Sequence, residues 1–145
     1  MATVRDILSV KGDKVQTVGE SISALEATQM MNAHSIGSLV VTRGYRVVGM
    51  FTERDVLRRI VAEQRDPEKV AVKDVMTAKV VCCRLDTPLS DVRSLVKDRR
   101  IRHVPVLDDN DALCGLVSMG DLNAWNLRDG QATIQYMADY IYGRA

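Results

Sequence analysis

The chain has 145 residues, 46% of them hydrophobic and 27% charged, with a formal net charge of +1. That length admits one domain or two very small ones, and half of it would bury too little apolar surface to be stable alone. The near-neutral charge gives no electrostatic reason to bind nucleic acid or an anionic membrane, and no apolar run reaches the length of a membrane span.

The N-terminus meets charge at Arg5 and Asp6, too early for a secretory apolar stretch, so no targeting signal is expected. Val15 to Val18 reads as a strand and Ser21 to Ala33 as an Ala- and Met-rich helix. Leu39 to Thr42 and Arg46 to Phe51 flank a turn at Arg43-Gly44-Tyr45, and Thr52 to Val61 reads as a helix. The polar stretch Glu63 to Lys69 is a linker. Beyond it the pattern starts again. Val80 and Val81 open a strand, and Thr87-Pro88 reads as an N-cap followed by proline at the first helical position. Leu89, Val92 and Val96 share one helical face. Val104 to Leu107 and Leu113 to Val117 are strands around a turn at Asp108-Asp109-Asn110, and Ser118 to Asp121 starts another helix. Asp129 to Tyr142 reads as an extra helix, with one stripe of Ile134, Met137, Ala138 and Ile141 and another of Tyr136 and Tyr140. It either docks on the rest of the chain or makes a dimer contact.

The restart is a duplication. Val4-Arg5-Asp6-Ile7-Leu8 returns as Val72-Lys73-Asp74-Val75-Met76. Gly37-Ser38-Leu39-Val40-Val41 matches Arg102-His103-Val104-Pro105-Val106. Gly49-Met50-Phe51-Thr52-Glu53-Arg54-Asp55 returns as Gly115-Leu116-Val117-Ser118-Met119-Gly120-Asp121. The expected organisation is a repeat over 4–66, a second over 70–128, and a helical tail over 129–145. Each repeat reads as strand, helix, strand, strand, helix, an α/β unit whose small sheet cannot cover both faces. Pairing the two copies sheet to sheet would bury what one leaves open.

Thr52-x-x-Asp55 and Ser118-x-x-Asp121 each end a strand and open a helix. A hydroxyl at the N-cap with an acid three residues on is close to a capping box. The same geometry serves a ligand: amides at a helix N-terminus attract anions, and a carboxylate one turn in can accept hydrogen bonds from two vicinal ribose hydroxyls. Gly49 and Gly115 lie inside strands, which implies close approach of either a ligand or a packing partner. A flat ligand base beside such a ribose would need an apolar slot, for which Val15, Ile36 and Leu39 are candidates in the first copy and Val80, Val81 and Val104 in the second.

The duplicated Gly-x-x-Thr/Ser-x-x-Asp and the segment Arg102 to Val106 resemble the CBS (cystathionine beta-synthase) domain family over residues 4 to about 127. The tail, with Thr133-Ile134 and Tyr140 to Gly143, looks like that of bacterial stand-alone CBS-pair proteins. The resemblance implies two repeats in one pseudo-twofold module with two clefts between them. It implies adenosine ligands (AMP, ADP, ATP or NAD and NADH), association as a homodimer, and regulation of a partner in trans. It assigns the ribose to Asp55 and Asp121 and places Arg102 and His103 beside the phosphate, where guanidinium suits bidentate bonding. Arg54 could reach the same region. Since Gly37-Ser38 stands where the second copy has Arg102-His103, and Gly120 where the first has Arg54, the two clefts are expected to be inequivalent.

No glycine-rich phosphate loop, nucleophile elbow or metal motif points to an enzyme or a catalytic cofactor. The basic run Lys97 to His103 is the only hint of nucleic-acid binding, against 4% aromatics. Cys82, Cys83 and Cys114 fit reduced thiols in or beside a core in the cytoplasm. The main alternative to a nucleotide sensor is an interaction adaptor in which the duplicated motif only caps helices.

Overall fold

The computed structural model describes residues 1–128; the predicted tail helix and its tyrosines lie outside them. In chain order the elements are α1 (Val4–Lys11), β1 (Thr17–Gly19), α2 (Ala24–His34), β2 (Ser38–Arg43), β3 (Arg46–Thr52) and α3 (Glu53–Asp55), which continues as a π-helix, Val56–Val61. Then follow α4 (Val72–Val75), β4 (Cys83–Arg84), α5 (Leu89–Arg99), β5 (His103–Leu107), β6 (Leu113–Ser118) and α6 (Met119–Arg128). The chain is α/β, with two three-stranded sheets ordered β1-β2-β3 and β4-β5-β6. In each, the first strand runs parallel to the second and the second pairs antiparallel with the third.

Alternation along the strands sorts the side chains. Leu39, Val41 and Phe51 join α2, Ile60 and α4 in one core; Val104, Val106 and Val117 join α5, Leu122 and α1 in the other. The opposite faces are buried too, with Ser38, Val40 and Met50 on the first sheet and Pro105 on the second.

The core membership reveals an exchange. Helix α1, which opens the first repeat in sequence, packs in the core of the second sheet, and α4 packs in the core of the first. The backbone contacts are matched pair by pair. Val4 N donates to Thr87 O and Leu89 N to Ala2 O, both at 3.0 Å. Val72 N donates to Ile22 O at 2.9 Å and Ala24 N to Val70 O at 2.7 Å. Isolated antiparallel bridges join Thr3 to Pro88 and Ser23 to Ala71. These equivalences are the pseudo-twofold relation of one module.

The strand glycines complete it. A Cβ on Gly115 would lie 2.6 Å from Leu8 Cδ1, and one on Gly49 would lie 2.5 Å from Met76 Sδ. Leu8 and Met76 are themselves counterparts in the repeated pentapeptide. The close approach expected at both glycines is therefore made by the exchanged helices.

Three local expectations need correction. Val80 and Val81 are not in a strand; β4 is two residues long and begins at Cys83. The chain is tied to the first sheet at Thr77, which bridges to Met50, and joins the second only at Cys83, so the two valines lie in the crossing. Thr87 does not cap α5. Its hydroxyl accepts from Arg84 N at 2.9 Å, and Pro88 takes the N-cap position, pinned by the bridge to Thr3. Helix α2 starts at Ala24 because Ser23 is the residue whose hydroxyl accepts from Glu26 N.

Candidate functional site

Both Thr/Ser-x-x-Asp motifs form the reciprocal cap that their spacing allows. In the first, Asp55 N donates to Thr52 Oγ1 at 3.2 Å, while Asp55 Oδ2 accepts from Thr52 N at 3.0 Å and from Thr52 Oγ1 at 3.1 Å. Its other oxygen, Oδ1, accepts from Thr77 Oγ1 at 3.2 Å and lies 3.7 Å from Arg59 Nε. Asp55 is 5% exposed, and both of its oxygens have protein partners. Arg59 also donates to Met76 O at 2.7 Å, tying the end of α4 to the same aspartate.

In the second motif, Asp121 N donates to Ser118 Oγ at 3.0 Å and Ser118 N to Asp121 Oδ2 at 2.8 Å. The remaining partner is Lys11, the last residue of the exchanged α1. Its Nζ lies 2.6 Å from Asp121 Oδ2 and donates to Leu116 O at 2.7 Å. The Lys11 and Asp121 side chains are 32% and 21% exposed, so this carboxylate is far more accessible than its counterpart.

The flanking residues widen the contrast. His103 pairs across the sheet with Ser118, and Arg102 O accepts from Met119 N at 2.9 Å, which sets both beside the second motif. Burial holds the His103 imidazole below its ordinary pKa, and Lys11 and Arg102 add to that against the opposing pull of Asp121. In the first copy Glu53 N donates to Gly37 O at 3.0 Å, and the Glu53 carboxylate rests over Gly37, with its Cδ 3.0 Å from where a Cβ would stand. The first motif is thus flanked by a second acid and the second by cations. Arg54 is exposed and makes no ion pair among the described residues.

The apolar candidates divide. The side chains of Leu39 and Val104 are fully buried core, 1% and 0% exposed, and present no surface to a base. Val15, Ile36, Val80 and Val81 are half-buried. The segment carrying Val80 and Val81 leaves from Thr77 beside Asp55, and the one carrying Val15 leaves from Lys11 beside Asp121. Each motif therefore receives a polar side chain from the other copy, Thr77 at Asp55 and Lys11 at Asp121.

Lys11, Thr77 and Arg59 were not foreseen. A signal for the first existed: Lys11 and Lys79 stand at the same register beyond the repeated pentapeptide. A groove of about 160 Å³ between α1 and α6, walled by Ile7, Val10, Trp125 and Arg128, opens at the Lys11–Asp121 pair. The Arg128 guanidinium lies 5.9 Å from the centre of the Trp125 ring.

Among the described residues no cluster of His, Cys, Asp or Glu could hold a metal ion. The three cysteines are free, and burial raises the pKa of each, that of Cys83 to about 12. No helix of the described residues is long and apolar enough to cross a membrane.

Comparison with known proteins agrees with this architecture. The model of the CBS domain matches residues 4–62 and again 72–126. The CBS domain-containing protein YhcV of Bacillus subtilis is 32% identical over 122 residues, which cover 84% of each chain. The MK0525 protein of Methanopyrus kandleri is 33% identical over 101 residues, and the match spans 52% of its length. Among solved structures, a CBS-domain protein from Burkholderia ambifaria superimposes with a TM-score of 0.82 at 34% identity, over 90% of this chain and 97% of that one. The CBS domain pair of protein MJ0100, solved with 5′-methylthioadenosine and S-adenosylmethionine, gives 0.74 at 26% identity, over 86% and 98%. With two matched regions, two equivalent sheets and a twofold exchange of leading helices, the chain belongs to the CBS-domain family as a tandem pair of repeats.

Proposed function

We propose that this CBS pair is a non-catalytic regulatory module that binds an adenosine nucleotide at the second motif and signals to a partner protein in trans. The observation that carries this reading is the constellation at Ser118 and Asp121. A part-exposed carboxylate suited to a ribose diol sits among Lys11, Arg102 and His103, which suit a phosphate. The bound methylthioadenosine and S-adenosylmethionine of the MJ0100 pair support the adenosine part. AMP, ADP, ATP, NAD and NADH remain the ligand set, with the half-buried Val15, Ile36, Val80 and Val81 as the apolar side chains open to a base. The first cleft, where Asp55 is spent on Thr52, Thr77 and Arg59, is the weaker site.

Homodimerisation is part of the proposal, supported by exposed apolar side chains on the last helix of each repeat: Leu57 and Val61 in the first, Met119 and Leu127 in the second. So is a cytoplasmic location, supported by three free thiols. An adaptor function is favoured by one observation, the complete engagement of Asp55 as a cap.

Thermal melts with each nucleotide separate the two readings. A ligand that binds only the folded chain adds about 2.7 kcal/mol at a hundredfold excess over its Kd, a rise of roughly 5 to 10 °C for a chain of this size. Absence of any shift at millimolar nucleotide would leave the adaptor.

A further inference from the structure

Lys11 belongs to the first repeat in sequence, lies at the end of α1, and delivers its ammonium to the aspartate of the second repeat. Its counterpart Lys79 does nothing comparable, because α4 stops at Val75 and the chain turns into the bridge between Thr77 and Met50. Lys79 is exposed and forms no ion pair among the described residues. The neutral Thr77 hydroxyl reaches Asp55 instead.

We infer that Lys11 makes the second cleft selective for phosphorylated adenosine over neutral adenosine. This rests on the binding site proposed above and adds the ligand class it accepts. Asp121 uses only Oδ2 for Ser118 and Lys11, so a ribose diol has Oδ1 to approach. As the diol takes the carboxylate, the ammonium loses part of its partner. A neutral nucleoside gives nothing in return and leaves Asp121 as the one carboxylate facing both Lys11 and Arg102 among the contacts described. A nucleoside monophosphate supplies an anion to which Lys11 can swing, its side chain being one-third exposed. The contact exchanged is charge-assisted on both sides, so its net value appears as discrimination between ligands.

The test is titration calorimetry of the full chain with AMP and with adenosine, for the wild type, Lys11→Met, Lys11→Arg and Lys79→Met. The wild type should bind AMP at least about tenfold more tightly than adenosine, as loss of one charge-assisted contact predicts. Lys11→Met should weaken AMP by about that factor and leave adenosine equal or tighter, closing the gap. Lys11→Arg and Lys79→Met should preserve it. A Lys11→Met protein that keeps the full AMP-to-adenosine ratio overturns the role of Lys11 while leaving the nucleotide site intact. A wild type that binds neither ligand overturns the site itself, and this inference with it.

Discussion

Asp55 and Asp121 hold the same place in two copies of one motif, and their surroundings assign them different work. Asp55 is buried and accepts from Thr52 and Thr77 on both oxygens. Asp55→Asn puts an amide where a hydroxyl or backbone N–H now donates, and should lower unfolding free energy by about 1–3 kcal/mol. Asp121→Asn, at a half-open cap, should cost about 1 kcal/mol or less. Urea denaturation of the two variants checks this, and equal losses would contradict it. His103 predicts a pH dependence. Its folded pKa lies below the unfolded value near 6.5, so the unfolded chain takes up the proton first as pH falls. The stability held by the neutral imidazole is complete above that value and lost as pH drops toward the folded pKa. Melting temperatures between about pH 7.5 and 5.5 should fall for the wild type and fall less for His103→Gln. Parallel profiles would remove His103 as the cause.

At the scale of elements, the two strand glycines give the sharpest comparison. A Cβ on Gly49 would meet the Thr77 backbone oxygen at 2.9 Å, and that oxygen is fixed by Met50 N. A Cβ on Gly115 would meet only the tip of Leu8, a side chain that can shift. Gly49→Ala should therefore cost about 1–3 kcal/mol as overpacking, and Gly115→Ala clearly less; denaturation midpoints in the reverse order would contradict the packing described. These elements also show what a single sequence can reveal. Strands β2, β3, β5 and β6 were readable as short apolar runs on either side of a turn, and α5 from Leu89, Val92 and Val96. The exchange of α1 and α4 was not, because periodicity tells which face of a helix is buried but not which copy covers it. The same gap hid Lys11 and Thr77, each of which reaches the aspartate of the other copy. Leu39 and Val104 were apolar and in the right strands, yet alternation turned them into the core.

For the whole molecule, the exchange means that neither half is self-sufficient. Val4, Ile7 and Leu8 are buried in the core of the second sheet, and each such side chain contributes about 1.5–3 kcal/mol. Together they rival the 5–15 kcal/mol stability of a typical domain. A chain lacking residues 1–11 should lose cooperative unfolding, first in the second repeat, by hydrogen exchange; a cooperative transition at an unchanged midpoint would contradict the shared core. The exchange also brings a side chain of the other copy to each motif, and these differ: the neutral Thr77 at Asp55 and the cationic Lys11 at Asp121. The central claim is that adenosine nucleotide binds at the second. Titration calorimetry of AMP against the wild type, Asp55→Asn and Asp121→Asn, at a temperature where all three are folded, tests it most directly. Affinity should fall at least about tenfold in Asp121→Asn, the value of one hydrogen bond to a charged group, and stay close to the wild type in Asp55→Asn. Loss in Asp55→Asn with retention in Asp121→Asn would contradict the account.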